Sequence, residues 1–314
     1  MKPPFFSVVI NCYNGEEFLS EALASVLNQS FDDFEIVFWD NCSTDNSKYI
    51  LDTFNDSRIK YYSSSVNTSL GEARNEAVKA CIGEWITFLD VDDLWFEKKL
   101  EIQHTLIGSL NDDYCLIYSG VEEVDSQLNH IRFDLPKKHG DVSTSTLLNE
   151  FDINMVTPAI RRTFLIENNI NFNTRIKASE EYNLFLRLSL LGKVFATDDI
   201  LGKYRSYEES LTNKHIEQWY YERMITILDM FELSPGDFIE NPSYYIKAIE
   251  RGIYYKARYM ASCNKTRELK ALMKFLRYRS KSYFFLYLIS HNLSFWNLIH
   301  NRKIKSILTN IIMR

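Results

Sequence analysis

Apolar positions along the first ninety residues switch back and forth between two periods, and that switching predicts the fold. Phe6-Ser-Val-Val-Ile-Asn11 is a short, nearly continuous apolar run that predicts a buried strand, and Asn14-Gly15 follows as a turn signal. From Glu16 to Gln29 the apolar residues Phe18, Leu19, Ala22, Leu23, Val26 and Leu27 recur at helical spacing. The same order returns at once. Phe34 to Trp39 predicts a strand, Asp40 to Asp45 a polar loop and cap, and a helix extends to Phe54. Ile59 to Tyr62 predicts a third strand, Leu70 to Ala80 a helix, and Trp85 to Leu89 a fourth strand of aromatic and β-branched residues. Strands alternating with helices of this length predict an α/β fold, a mostly parallel sheet with helices on both faces.

Ligands of such sheets bind beyond the carboxyl ends of the strands. Three strand ends carry polar groups there: Asn11 and Asn14, Asp40, and the run Asp90-Val-Asp-Asp93. Three carboxylates in four positions cannot be buried unpaired, so they lie at an exposed strand end or around a cation. Asp90 and Asp92 point the same way in an extended segment, and oxygen ligands at that spacing suit Mg²⁺ or Mn²⁺ with substrate phosphates. The plainer reading is a polar turn before a helix starting near Leu94, with Asp93 as its N-cap. No GxGxxG follows the first strand and no GxxxxGK[ST] occurs, which argues against dinucleotide-binding and P-loop sites.

Composition changes this picture in two places. Five scattered cysteines without CxxC spacing, and no signal-like apolar run at the N-terminus, point to a reducing cytoplasm. The net charge of −6 hides an asymmetry: residues 251–314 carry fourteen Lys and Arg against the single acid Glu268, or +13, which leaves −19 on the first 250 residues.

Several segments together resemble family 2 glycosyltransferases of the GT-A nucleotide-sugar-binding fold. Ser7 to Asn14 is similar to the family's opening strand and loop, and Glu35 to Asp45 to its second strand with a D-x-x-S-x-D loop. Gly71-Glu-Ala-Arg-Asn75 resembles its A-R-N helix segment, Phe88 to Trp95 its DxD signature, and Ser179 to Leu188 the acidic pair opening the helix of the catalytic base. The resemblance implies an inverting transferase using a UDP-sugar and Mn²⁺ or Mg²⁺. It implies that Asp40 accepts a hydrogen bond from uracil, that Arg74 lies near the nucleotide and Asp90 near the ribose, and that Asp92 holds the cation. Asn11, Tyr13, Asn14 and Val91 join the implied nucleotide-sugar site. Glu181 stands where the family has Asp as base, with Glu180 the second choice. Tyr204-Arg-Ser-Tyr207 with Ser210 resembles a Y-R-x-H-x-x-S stretch in which Tyr207 replaces histidine; Arg205 is a candidate phosphate contact. Thr157 to Arg162 lies where the family builds its acceptor pocket, so Arg161 or Arg162 is a candidate contact to an anionic acceptor.

From Leu211 the chain reads as helix-rich, with breaks at Pro235-Gly236 and Gly252. This divides it into a GT-A domain, residues 1–210, and a basic helical region, residues 211–314. Basic residues beside Tyr283 to Ile289 and Phe295 to Ile299 fit helices lying on an anionic bilayer, and the apolar stretches are too interrupted to span one. A homo-oligomer or partner interface is the next reading, and nucleic acid the last. The expected protein extends a lipid-linked glycan of a bacterial surface polysaccharide at the cytoplasmic face of the membrane. The rival class is a non-catalytic nucleotide-sugar or glycan-binding module in which Glu181 is idle.

Overall fold

The computed structural model describes residues 2–206 and 217–300. Among them one sheet holds β1 (Phe6–Cys12), β2 (Phe34–Asp40), β3 (Ile59–Ser63), β4 (Trp85–Phe88), β5 (Leu94–Trp95), β6 (Tyr114–Val124), β7 (His130–Asp134), β8 (Gly140–Val142), β9 (Ala159–Arg161) and β10 (Lys193–Arg205). The strand order is β3-β2-β1-β4-β9-β6-β10-β5, with β7 paired to β6 and β8 to β10. The expected parallel arrangement holds across β3-β2-β1-β4. Beyond β4 the sheet is mixed, because β9 enters antiparallel to both β4 and β6. Two reversals restore the direction, so β6 and its parallel neighbour β10 run the same way as β4. The carboxyl ends of β1, β2, β4, β6 and β10 therefore share one edge with the segment that leads into β9.

Seven helices accompany these strands: α1 (Leu19–Leu27), α2 (Ser47–Asp52), α3 (Leu70–Ala80), α4 (Lys99–Ser109), α5 (Thr144–Asn149), α6 (Arg162–Glu167) and α7 (Glu180–Leu191). Alternation along the strands feeds two cores. Val8, Ile10, Ile36 and Phe38 pack with Leu19, Leu23 and Val26 of α1 and Leu100 of α4. Val9, Val37, Ile86 and Phe88 face the other way, onto Ala77 of α3 and Leu184 and Leu188 of α7. Both faces of the strands are thus covered, which is why they read as continuous apolar runs.

After residue 216 come α8 (Trp219–Leu233), α9 (Pro235–Glu240), α10 (Pro242–Ser262), α11 (Thr266–Leu276), α12 (Lys281–Ile289) and α13 (Leu293–His300). Ile227 and Met230 of α8 and Tyr245 and Ala248 of α10 join the same core as α7. From Ala257 onward a separate cluster forms around Met260, Leu269, Met273, Leu276 and Trp296. Pro235 and Pro242 open helices, as a residue lacking an N–H does at a first turn. Gly252 breaks nothing, contrary to the sequence expectation: α10 runs straight through it, and a Cβ there would meet Met224 Cε at 2.9 Å. Its role is close approach between α8 and α10. The expected boundary at residue 210, Tyr207, Ser210 and the basic residues from Arg302 onward lie outside the described residues. Among the described residues no helix is long and apolar enough to cross a membrane.

Candidate functional site

The shared edge of strand ends opens into a cavity of about 940 Å³. One wall consists of strand-end loops that are stapled to each other. Asn14 adopts a left-handed φ of 53°, which its short polar side chain tolerates, and its Oδ1 accepts from the Thr44 N–H at 2.8 Å. Its own N–H donates to Ser43 Oγ at 3.0 Å, and those of Gly15 and Glu16 donate to Ser47 Oγ and Asp45 Oδ2, both at 2.9 Å. Gly15 is required by crowding, since a Cβ there would meet Val91 Cγ2 at 3.0 Å and Cys12 Sγ at 3.1 Å. Asn41 ties in the third loop, donating to the Thr68 carbonyl at 2.9 Å and accepting from Thr68 Oγ1 at 2.9 Å. Asn11, Tyr13, Asn14, Val91, Asp90 and Asp92 all line this wall, and the Tyr13 ring is half exposed at the mouth.

The opposite wall is assembled from distant segments. Glu180 and Glu181 open α7, and Lys177 and Ala178 precede them on the lining. Ile153, Asn154 and Met155 continue it. The chain just beyond them is fixed by three side chains: Trp95 Nε1 donates to the Val156 carbonyl at 3.0 Å, Gln103 Nε2 to Thr157 at 2.8 Å and Thr87 Oγ1 to Pro158 at 2.7 Å. Ser179 does not cap α7 with its own side chain. Buried Glu222 of α8 holds the approach instead, accepting from the N–H groups of Lys177 and Ala178 at 2.8 and 3.2 Å and from Ser179 Oγ at 2.7 Å.

Arg74 of α3 joins the two walls. It is buried, donating from Nη1 to Glu180 Oε1 at 2.8 Å and from Nη2 to both oxygens of Asp90 at 2.9 and 3.2 Å. The three negative charges of Asp90, Glu180 and Glu181 outweigh its burial and hold its proton more tightly than usual. Glu180 feels burial and Arg74 in opposition, and burial prevails to raise its pKa. Glu181 is half-buried on the lining; desolvation, reinforced by the Glu180 charge, pushes its carboxyl up to about 8. With Glu180 committed to the guanidinium, Glu181 is the carboxyl of the pair suited to proton transfer near neutral pH.

Two sequence expectations need correction, the Asp93 helix cap and the acceptor-side placement of Arg161 and Arg162, whereas Arg205 and Asp40 lie at or just behind the cavity lining. Asp93 caps no helix: residues Leu94 and Trp95 form β5, and the buried Asp93 carboxylate accepts from the Arg205 N–H at 2.8 Å. Burial beside Asp92 and Asp90 raises its pKa well above the usual carboxylate range. Arg205 lines the cavity and is already engaged there, with Nε on the Asp92 carbonyl at 2.8 Å, Nη1 on the Ser126 carbonyl at 2.6 Å and Nη2 on Glu21 Oε2 at 2.7 Å. Arg161 lies at the opposite edge, because antiparallel β9 carries it back beside Trp85 at the start of β4, where it bonds Asp112 at 3.0 Å. Its neighbour Arg162 donates to the Gly83 carbonyl at 2.7 Å, also away from the cavity. Asp40 stands just behind the lining, accepting from the Ser43 N–H at 2.8 Å and the Tyr61 hydroxyl at 3.0 Å.

Among the described residues, six carboxyl groups and three cationic side chains line the cavity. Among the described residues no group of three or more His, Cys, Asp and Glu could hold a metal ion by itself. A Mg²⁺ or Mn²⁺ would be held through Asp92, with its remaining ligands from outside the protein, since Asp90 is engaged by Arg74. Sequence reasoning missed Asn41, Thr68, Ser126, Lys177 and Glu222. A smaller cavity of about 500 Å³ beside Asn168–Arg175 is set apart from these groups, and its Asp229 is tied to Asn173 at 2.6 Å and Arg175 at 2.6 Å.

The family model described as glycosyl transferase family 2 matches residues 7–176. The Escherichia coli UDP-Glc:alpha-D-GlcNAc-diphosphoundecaprenol beta-1,3-glucosyltransferase WfgD is 30% identical over 238 residues, covering 75% of this chain and 87% of WfgD. The crystal structure of S. aureus TarS 1–349 in complex with UDP-GlcNAc superposes with a TM-score of 0.62 at 20% identity, covering 97% of this chain and 92% of that one. Mannosyltransferase PcManGT from Pyrobaculum calidifontis, in complex with GDP-Man and Mn²⁺, follows at 0.53 and 14%, covering 95% and 87%. These two structural likenesses establish the shared fold.

Proposed function

The chain belongs to glycosyl transferase family 2, with the GT-A fold, and we propose that it is an inverting, metal-dependent transferase. In this reading it moves a sugar from a UDP-sugar to a hydroxyl of a lipid-linked glycan. The observation that carries the reading is Arg74, which ties the Asp90 loop to Glu180 across one cavity and leaves Glu181 on the opposite wall.

Asn11, Tyr13, Asn14 and Val91 supply the nucleotide side, where the half-exposed Tyr13 ring offers a flat surface to uracil. Asp40 orders the loop behind Asn41, and a second lone pair on each oxygen leaves an acceptor for the uracil imide. Asp92 holds the divalent ion, and when bound that ion neutralises the departing diphosphate as a Lewis acid. Inversion requires the acceptor hydroxyl to attack from the side opposite the leaving diphosphate. Glu181 receives its proton, while Glu180, fixed by Arg74, holds the start of α7 and keeps Glu181 basic. The choice of UDP and of a diphospholipid acceptor is supported by two relatives: WfgD, a transferase from UDP-Glc to alpha-D-GlcNAc-diphosphoundecaprenol, and TarS, whose crystal structure holds UDP-GlcNAc.

Residues 1–210 form the catalytic domain in this reading and the C-terminal helices its membrane contact, at the cytoplasmic face. Exposed Phe284, Phe285, Leu288, Phe295 and Leu298, in the same C-terminal stretch of sequence as Lys274, Arg277 and Lys281, support a peripheral site on an anionic bilayer.

The test is turnover. UDP-glucose and UDP-N-acetylglucosamine are offered with Mn²⁺ and a short-chain diphospholipid-linked N-acetylglucosamine, and the anomeric configuration of the product is read by NMR. Transfer with inversion is expected. UDP binding without transfer or donor hydrolysis would identify a binding module instead.

A further inference from the structure

The wall around Glu181 carries one cation that the reading above does not use. Lys177 lies on the lining four residues before Glu181, with an exposed side chain. Its main chain is immobilised, because the N–H groups of Lys177 and Ala178 and the Ser179 hydroxyl all donate to Glu222, which is only 3% exposed. Its ammonium makes no hydrogen bond or ion pair among the described residues. The other two cations of the cavity are engaged: Arg74 by Asp90 and Glu180, and Arg205 by Glu21 at 2.7 Å. A fixed backbone thus presents, among the described residues, one positive charge without a partner on the same cavity lining as Glu181. Such a charge is complementary to an anion arriving from the Glu181 side, whereas the strand-end wall has Asp92 and its divalent ion for the nucleotide phosphates.

We propose that Lys177 binds a phosphate or diphosphate group of the acceptor, next to the hydroxyl that Glu181 deprotonates. The inference rests on the glycosyltransferase reading and deepens it: the acceptor is anionic close to its reacting sugar, and Lys177 selects for that charge. The ligand chemistry has two sources in this cavity, the acceptor and the nucleotide donor, and they are separated experimentally.

The protein is first saturated with UDP and Mn²⁺, then titrated calorimetrically with geranyl diphosphate, a soluble isoprenoid diphosphate, with geraniol as control. Native protein binds geranyl diphosphate and not geraniol. Lys177→Met weakens that binding on the order of tenfold, Lys177→Arg retains it, and UDP affinity is the same in all three. Equal affinity of native protein and Lys177→Met for geranyl diphosphate, or no binding in either, overturns the proposal. So does a selective loss of UDP affinity in Lys177→Met, which would assign the ammonium to the donor. Failure of native protein to bind UDP at all is a different result, removing the glycosyltransferase reading itself.

Discussion

The two walls of the cavity are built by different means. The strand-end wall uses residues 11–15, 40–47 and 90–93, which leave neighbouring parallel strands at the same edge; residues 14–16 bond to residues 43–47, and Gly15 packs against Val91. The Glu181 wall uses residues 153–155 and 177–181, which have no such strand register and are held by Arg74, Trp95, Gln103 and Glu222 from remote elements. The first wall is a property of the sheet. The second depends on tertiary contacts, including one from the helices that follow residue 216. The nucleotide binding and proton transfer proposed for the two walls are therefore expected to be separable by substitution.

The largest expected effect removes proton transfer alone. Glu181→Gln is expected to lower the transfer rate on the order of a thousandfold while UDP affinity stays unchanged, measured by single-turnover transfer and calorimetry. Equal losses in both would break the division between the walls. Next comes Glu222→Gln, which keeps the side-chain volume and one acceptor oxygen for the N–H groups of Lys177 and Ala178. A displacement of Glu181 by a fraction of an ångström is expected to lower kcat about tenfold with KM for the UDP-sugar unchanged. A purely structural role would move the thermal midpoint without that split.

A smaller and more specific effect concerns pH. Burial and the Glu180 charge push the Glu181 carboxyl up to about 8, so in the proposed mechanism it would be protonated and idle below that value and a competent base above it. The profile of kcat/KM, which reports the free enzyme, is expected to rise through about pH 8. Glu180 raises this pKa by like charge, so Glu180→Gln is expected to shift the rising limb to lower pH. A limb that stays in place would show that Glu180 and Glu181 do not sense each other.

The contrast between the walls also explains what is legible in the sequence. An apolar strand running into Asp90, Asp92 and Asp93, and two further strands ending in Asn11 and Asp40, mark the first wall because strand ends converge wherever the sheet is parallel. The acidic pair Glu180-Glu181 emerges through family resemblance rather than pattern. Lys177 has no signal beyond lying before that pair, and Glu222 none, since their bond crosses 45 residues. Arg161 is misplaced by sequence reasoning for a related reason: three residues of β9 carry too little pattern to reveal an antiparallel strand between β4 and β6. The engagement of Arg205 is illegible in the local sequence because its partners Glu21 and Ser126 are 184 and 79 residues away. Gly252 reads as a break because a helix that packs closely on another needs the same residue as one that ends.

The central claim is that one cavity holds a metal-dependent UDP site on the strand-end wall and an independent base opposite it. Calorimetric titration of UDP with and without Mn²⁺, on native protein, Asp92→Asn and Glu181→Gln, tests it most directly. The account predicts that native protein and Glu181→Gln bind UDP only with the metal, and that Asp92→Asn does not bind in either condition. Metal-independent binding in native protein, or loss of binding in Glu181→Gln with Asp92→Asn unaffected, would contradict it.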